Sequence, residues 1–466
     1  MVPEASNEPF VGRAAELAML EAAYAGKDSA FIPIYGRRRI GKSELILHFL
    51  RDKPGLYHVG KLAPSGLQLR ELLTDAAGVV GEPLLATLTT EDWRLALDTI
   101  VERWGGSRRL VLVLDEFQWT AQAAVGLPLI LQELWDRKWR RSGKLMIILC
   151  GSYVGFMERE VLGKQSPLFG HRTAQIKLAP FGYREAAEFH PRWSLVDRAQ
   201  AYFLCGGVPL YLRAFDPARS IRSNIEANFL TEHAALFQEP EFLLREELRD
   251  VQNYYGVLWA IAAGHGTQRE IAKASGLPER SLHYWLNQLV ELGYVARRRP
   301  LIDRRFARAV RFVLDDPMLR FWFRFVFPHR SFIQQRGAHT AWSELISREI
   351  DGYFGSCFER LAREALPGLY ARERIAASYM IGEYWDRDVQ IDVVGVRDDG
   401  RTDLGEVKWR SVRSATQLVG ELDAKVARYP NSRNATIERR FFVRARPRTR
   451  SSLPGHWHDL EDLYAR

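Results

Sequence analysis

Gly36-Arg37-Arg38-Arg39-Ile40-Gly41-Lys42-Ser43 is the stretch that decides the fold class. It fits G-x-x-x-x-G-K-[ST], and it lies where that pattern has a mechanism, between a strand and a helix. Residues 30–34, Ala-Phe-Ile-Pro-Ile, read as a short buried strand ending at Tyr35-Gly36. From Lys42 onward, Leu45, Ile46, Phe49 and Leu50 fall at helical apolar spacing. The backbone N–H groups between Gly36 and Gly41 would turn inward around phosphate oxygens, at the positive end of the helix dipole. Lys42 is expected to reach the β and γ phosphates of a nucleotide, and the Ser43 hydroxyl to ligate Mg2+.

Working outward, two further buried strands are expected at 110–114 and 145–149, with a helical stretch over 127–139 between them. Strands alternating with helices predict a parallel sheet covered on both faces. The first of these strands, Leu-Val-Leu-Val-Leu, runs into Asp115-Glu116-Phe117. An acid at the carboxyl end of a parallel strand stands at the mouth of the sheet. Asp115 would hold the Mg2+ through water, and Glu116 would orient or deprotonate the attacking water. The second ends in Cys150-Gly151-Ser152, where the serine suits either a γ-phosphate sensor or a helix N-cap. Arg172, after the turn 167–171, suits either an arginine finger, in cis or in trans, or a surface ion pair.

Beyond residue 185 the strand signal fades and helices dominate to about 260. Residues 267–286 have helix-turn-helix form: Ile271 and Ala272 would pack on Leu282 and Leu286 across a turn at Gly276. A hairpin should follow, carrying Arg297, Arg298, Arg299, Arg304, Arg305, Arg308 and Arg311 with Asp303 the only acid among them. Such a wing could lie along nucleic-acid phosphates, giving salt-dependent binding, or serve as an intramolecular packing surface. An aromatic-rich helical segment is expected at 317–327, then a helix at 344–366 and strands at 389–396, 402–409 and 439–445.

Composition narrows the field. The 466 residues suggest about three domains. At 47% apolar and 26% charged, the chain is neither disordered nor fibrous. Its longest apolar runs fall far short of the roughly twenty residues of a membrane span, and residues 1–8 show no secretory signal. Three isolated cysteines form no CxxC pair, which suits a reducing cytoplasm. The net charge of +9 inclines mildly toward anionic partners.

Phe10-Val11-Gly12-Arg13 with Glu16-Leu17, the Gly36–Ser43 loop, Asp115-Glu116-Phe117-Gln118 and Gly206-Gly207-Val208-Pro209 together resemble the archaeal-type ATPases of the AAA+-related STAND class of P-loop NTPases. The resemblance covers about residues 8–240. It implies ATP as the nucleotide, with Val11 and Gly12 near the adenine and Pro209 touching it from a helical lid. The last domain resembles the domain of unknown function 234, whose core looks like the PD-(D/E)xK nuclease fold. The residues that carry this are Val389-Gln390-Ile391-Asp392 and, fourteen residues beyond Asp392, Glu406-Val407-Lys408. Glu406 and Lys408 would project from one strand face, with Asp392 beside them. Carboxylate oxygens suit Mg2+ or Mn2+, and a lysine would offset charge or position water. Glu359 matches a helical acid often found ahead of this core, whereas Gln390 stands where many relatives carry glutamate.

The expected architecture is thus multidomain α/β: an ATPase core at 8–185, a helical lid at 186–250, a winged helix at 251–335 and a nuclease-like, restriction-endonuclease-like domain at 336–466. The expected function is ATP hydrolysis coupled to DNA binding, and to metal-dependent DNA cleavage by Asp392, Glu406 and Lys408. The alternative is a regulatory ATPase switch whose last domain cuts nothing. The oligomeric state stays open between a monomer and a homo-oligomer.

Overall fold

The computed structural model describes residues 9–248, 250–302, 305–306 (backbone only), 309–447 and 453–465. The N-terminal octapeptide, Asp303, Arg304, Arg308 and the side chain of Arg305 lie outside the described residues. Two compact units emerge: residues through Phe181 joined by Val208–Leu210, and Gly182–Gly207 with the chain from Tyr211 onward.

The first unit is built on five parallel strands: β1 (Ala30–Tyr35), β2 (Gly55–Val59), β3 (Leu110–Asp115), β4 (Leu145–Gly151) and β5 (Ile176–Lys177). Their order is β2-β3-β4-β1-β5, so β4 stands between the strand that feeds the phosphate loop and the strand that ends in Asp115. Side chains alternate across the sheet. Leu110, Leu112 and Leu114 pack with Leu69, Leu72, Leu97, Leu131 and Trp135 on one face. Val111 and Val113 pack with Leu45, Ile46 and Phe49 on the other. Helices cover both faces, as the uninterrupted apolar runs predicted.

In the second unit, helices Val251–Ala262, Gln268–Ser275 and Glu279–Glu291 form the three-helix body of the helix-turn-helix region. The Thr267 hydroxyl accepts from Glu270 N–H, and the Glu270 carboxylate accepts from Thr267 N–H, a capping box that fixes where the second helix begins. Ile271, Leu282, Leu286 and Leu289 are buried between these helices, and His283 and Asn287 face out. The hairpin follows as β6 (Val295–Arg298) paired with β9 (Arg311–Leu314), enclosing the short β7 (Leu301–Ile302) and β8 (Arg305–Phe306).

The C-terminal sheet is mixed. Strands β10 (Tyr379–Trp385), β11 (Gln390–Arg397), β12 (Arg401–Lys408), β13 (Thr436–Val443) and β14 (His456–His458) lie in that order. The first two pairings are antiparallel and the last two parallel. The long helix Ile350–Arg372 buries Phe358, Leu361, Leu366 and Tyr370, and helix Ala415–Val426 packs Leu418 and Leu422 with Phe441 and Val443. The expected helix over 344–366 is in fact a separate turn, Trp342–Ile346, followed by this longer helix.

Candidate functional site

The phosphate loop leaves β1 at Gly36 and enters helix Lys42–Leu50 through Gly41. A side chain on Gly36 would begin 2.3 Å from the Leu178 carbonyl oxygen, so only glycine lets β5 close against the loop. Gly41 caps the helix at φ 87°, a left-handed conformation that costs glycine little. Arg37, Arg38 and Arg39 are half-buried along the loop, and Ile40 is buried beneath it.

Lys42 is only 6% exposed, and its ammonium donates to the carbonyls of Gly36 and Arg37, both at 2.9 Å. The Ser43 hydroxyl donates to Asp115 Oδ2 at 2.8 Å across the end of β4. Asp115 is 3% exposed, accepts Glu116 N–H on Oδ1 at 2.8 Å, and takes the Tyr57 hydroxyl on Oδ2. Burial and the Asp115 charge push the Tyr57 hydroxyl far up, which keeps it a donor.

Glu116 sits at φ 48° at the head of helix Phe117–Ala123. Its carboxylate accepts the Ser152 hydroxyl at 2.6 Å and the Gln118 amide. The strand order explains the meeting: β4 lies between β1 and β3, so the residue after β4 reaches Glu116. An ammonium, a helix N-terminus, a hydroxyl–carboxylate pair and a second carboxylate converge here. That donor set suits a triphosphate with Mg2+.

The flanking residues fall unevenly. Phe10 stacks on His48 of the loop helix with centroids 4.0 Å apart, so the segment holding Val11 and Gly12 lies against that helix. Pro209 Cγ is 3.6 Å from where a Gly41 side chain would start. Among the described residues Arg172 bonds none of these groups, although its charge acts on the Tyr35 hydroxyl just ahead of Gly36. Its guanidinium lies 5.9 Å from the Phe169 ring centroid, and Thr173 beside it bonds Phe31, toward the amino end of β1. Arg13, part of the Phe10–Arg13 motif but given no role of its own there, is buried. It donates to the carbonyls of Ile40 and Ala179 and stacks on Phe181 at 3.9 Å, tying the loop to the chain after β5.

The second unit holds the other group of predicted residues. Val393 pairs with Gly405, so Asp392 and Glu406 face one another one step along the ladder. Asp392 Oδ2 accepts Val407 N–H at 3.1 Å. Glu406, 2% exposed, takes Lys408 at 3.0 Å on one oxygen and Lys425 at 2.5 Å on the other. Lys425, from helix Ala415–Val426, gave no signal in sequence because it stands in an ordinary amphipathic helix. Burial, then the Glu406 charge, raises Asp392 to about 6; burial, then Asp392, raises Glu359 to about 7.

Among the described residues no group of three or more His, Cys, Asp or Glu is arranged to hold a metal ion. The expected cage of Glu359, Asp392 and Glu406 is therefore not preassembled, because lysines occupy both Glu406 oxygens and a backbone N–H occupies Asp392. The wing also departs from expectation. Arg297 and Arg299 are exposed, but strand alternation turns Arg298 inward to Glu383 at 3.3 Å, and Arg311 lies 4.6 Å from the Trp385 ring centroid. No helix among the described residues is long and apolar enough to cross a membrane.

Three family models match parts of the chain. The model of an ATPase domain found predominantly in Archaea matches residues 10–215, that of an IclR helix-turn-helix domain 255–299, and that of a family of archaeal and bacterial proteins of unknown function, the domain of unknown function 234, 322–418. An uncharacterized protein of Methanocaldococcus jannaschii is 27% identical over 406 residues, covering 87% of this chain and 88% of its own. The Walker-type ATPase PABY2304 of Pyrococcus abyssi superposes at TM-score 0.52 with 21% identity, over 70% of this chain and all (100%) of its own. The ORC2 protein of Aeropyrum pernix gives 0.44 with 16% identity, over 72% and 98%.

Proposed function

From a chain that carries an archaeal-type ATPase domain, an IclR-type helix-turn-helix region and a C-terminal domain of unknown function 234, we propose that the protein binds ATP with Mg2+, hydrolyses it, and couples nucleotide state to DNA binding. The observation that carries this reading is the convergence of Lys42, Ser43, Asp115 and Glu116 at one end of the parallel sheet. Lys42 would hold the terminal phosphates, Ser43 and Asp115 the Mg2+, and Glu116 the attacking water. Bound Mg2+ supplies charge neutralisation across the phosphates. Val11, Gly12 and Pro209 would contact the base, with residues 186–250 forming the lid.

Isothermal titration with a non-hydrolysable ATP analogue tests the reading. Lys42→Ala is expected to weaken binding by about a hundredfold, the loss of buried charge-assisted hydrogen bonds. Affinity matching the wild type would overturn the site.

The facing Asp392 and Glu406 support a second reading, metal-dependent phosphodiester cleavage. Asp392 and Glu406 are the residues that would hold Mg2+ or Mn2+, with Glu359 a third oxygen donor and Lys408 offsetting charge. Metal ligands must be deprotonated. Because burial and a neighbouring carboxylate charge raise both Asp392 and Glu359 above the ordinary carboxylate range, cleavage is expected to rise from mildly acid to neutral pH and to vanish in Asp392→Ala. Plasmid and linear DNA with either metal provide the assay. No cutting at any pH leaves the regulatory-switch reading, in which the last domain binds without cleaving.

A further inference from the structure

Within the second unit, a cavity of about 490 Å³ opens between β6 and the long helix Ile350–Arg372. It is lined by Arg297, Arg298, Arg299, Arg360 and Arg363, with Asp315, Glu364 and Glu383 the only acids among its lining residues. Its size falls within the range of ligand pockets, about 300–1,000 Å³.

The three acids do not neutralise the five guanidinium groups. Asp315 pairs with Arg360 at 2.9 Å. Glu383 is shared between Arg298 at 3.3 Å and Arg363 at 3.5 Å. Glu364 is spent on the Tyr202 hydroxyl, at 2.9 and 3.1 Å, and burial raises its pKa, which favours the neutral form. Arg297 bonds the Asn287 amide oxygen and lies 6.0 Å from the Phe312 ring centroid, and among the described residues no carboxylate pairs with it or with Arg299. Arg363 Nη1 donates to the Asp392 carbonyl at 2.6 Å, whereas its Nη2 is fully buried and has no partner among the described residues. Buried polar groups are rarely left unmatched. Burial, and next the neighbouring Arg363 charge, pushes the Arg298 pKa down, as crowded cations require.

We propose that this cleft binds a phosphate-bearing anion, gripped by the exposed Arg297 and Arg299, with the Arg363 guanidinium adding positive charge to its wall. Planar forks in this arrangement match phosphate oxygens. The anion is either the phosphodiester backbone of a single nucleic-acid strand or a free polyphosphate. With a nucleic-acid strand as occupant the site rests on the DNA binding of the proposed function and names where it occurs; with a free polyphosphate it goes beyond that function.

The full chain carrying Lys42→Ala, in which the loop's own affinity is expected to fall about a hundredfold, is the protein to test. One arm titrates inorganic pyrophosphate calorimetrically; the other follows a labelled single-stranded oligonucleotide by fluorescence anisotropy across a salt series. Adding Arg297→Gln with Arg299→Gln, both exposed and dispensable for packing, is expected to weaken at least one anion about tenfold or more. For the oligonucleotide, the slope of log affinity against log salt should also fall, by about 1.4. Arg363→Gln, which removes one charge, should lower that slope by about 0.7, and the exposed pair keeps the test valid if that variant unfolds. Loss confined to pyrophosphate identifies a free polyphosphate. If neither anion loses affinity in the variants, the cleft is not the site. DNA binding itself is scored separately, by whether the oligonucleotide binds the parent protein at all.

Discussion

Glu116→Gln should leave ATP bound and turnover nearly abolished. The substitution keeps the length and shape of the side chain, and glutamine can still accept from the Ser152 hydroxyl now held at 2.6 Å. It also leaves Asp115 bonded to Ser43 and the Lys42 ammonium inside the loop, so the groups assigned to phosphate and Mg2+ are untouched. What it removes is the charge that would draw a proton from water. Loss of a positioned general base costs about 10²–10⁴ in rate, or roughly 3–5 kcal/mol of barrier. A phosphate-release assay at saturating ATP should show that fall in kcat, while analogue affinity stays within about threefold of wild type. Undiminished turnover would remove Glu116 from the chemistry. A matching loss of affinity would make it a binding residue instead.

The residues behind that prediction were legible because the sheet is parallel and buried on both faces. Five-residue apolar runs mark β3 and β4, and the glycine-lysine-serine turn marks the end of β1. Strand β2, Gly-Leu-Tyr-His-Val, escaped the same reading because Tyr57 and His58 look like surface residues. Both are buried, and burial holds His58 neutral with a pKa of about 4. Strands β5 and β14 are two and three residues long, below the reach of any periodicity. Arg13, Arg298 and Arg363 share another difficulty. An arginine that bonds inward to carbonyls or carboxylates is spelled like a solvated one, and only its neighbours in space distinguish them. For Arg298 a signal did exist: of two consecutive cations on a strand, Arg297 and Arg298, one must face in.

Arg440→Met should be the most destabilising single change in the C-terminal sheet. Arg440 is 1% exposed on β13. Its Nε bonds Asp403 Oδ1 at 2.5 Å, and Nη1 and Nη2 grip both Glu373 oxygens at 2.7 Å. Asp403 also accepts the Tyr370 hydroxyl at 2.6 Å. One guanidinium thus ties β12, β13 and the end of the long helix together. Burial alone would raise the Glu373 pKa, but the two Arg440 bonds hold it below the ordinary carboxylate range. Methionine fills most of the volume, takes from Glu373 and Asp403 the cation they share, and leaves Asp403 only the more distant Arg397 at 3.6 Å. Breaking a buried pair from one side costs about 3–5 kcal/mol. Urea unfolding followed by the fluorescence of Trp409 and Trp457 should show a loss of that size. Arg440→Lys should recover less than about half of it, because a point charge cannot replace the fork. The Glu373 contribution exists above its unfolded pKa and is lost as pH falls through the depressed folded value. The gap between wild type and variant should therefore narrow in acid. Arg440 stands opposite Gly405, next to Glu406, so the same network sets the register that brings Glu406 to Asp392. A change below about 1 kcal/mol, far under what a broken buried pair costs, would mean that strand pairing alone holds those carboxylates in place.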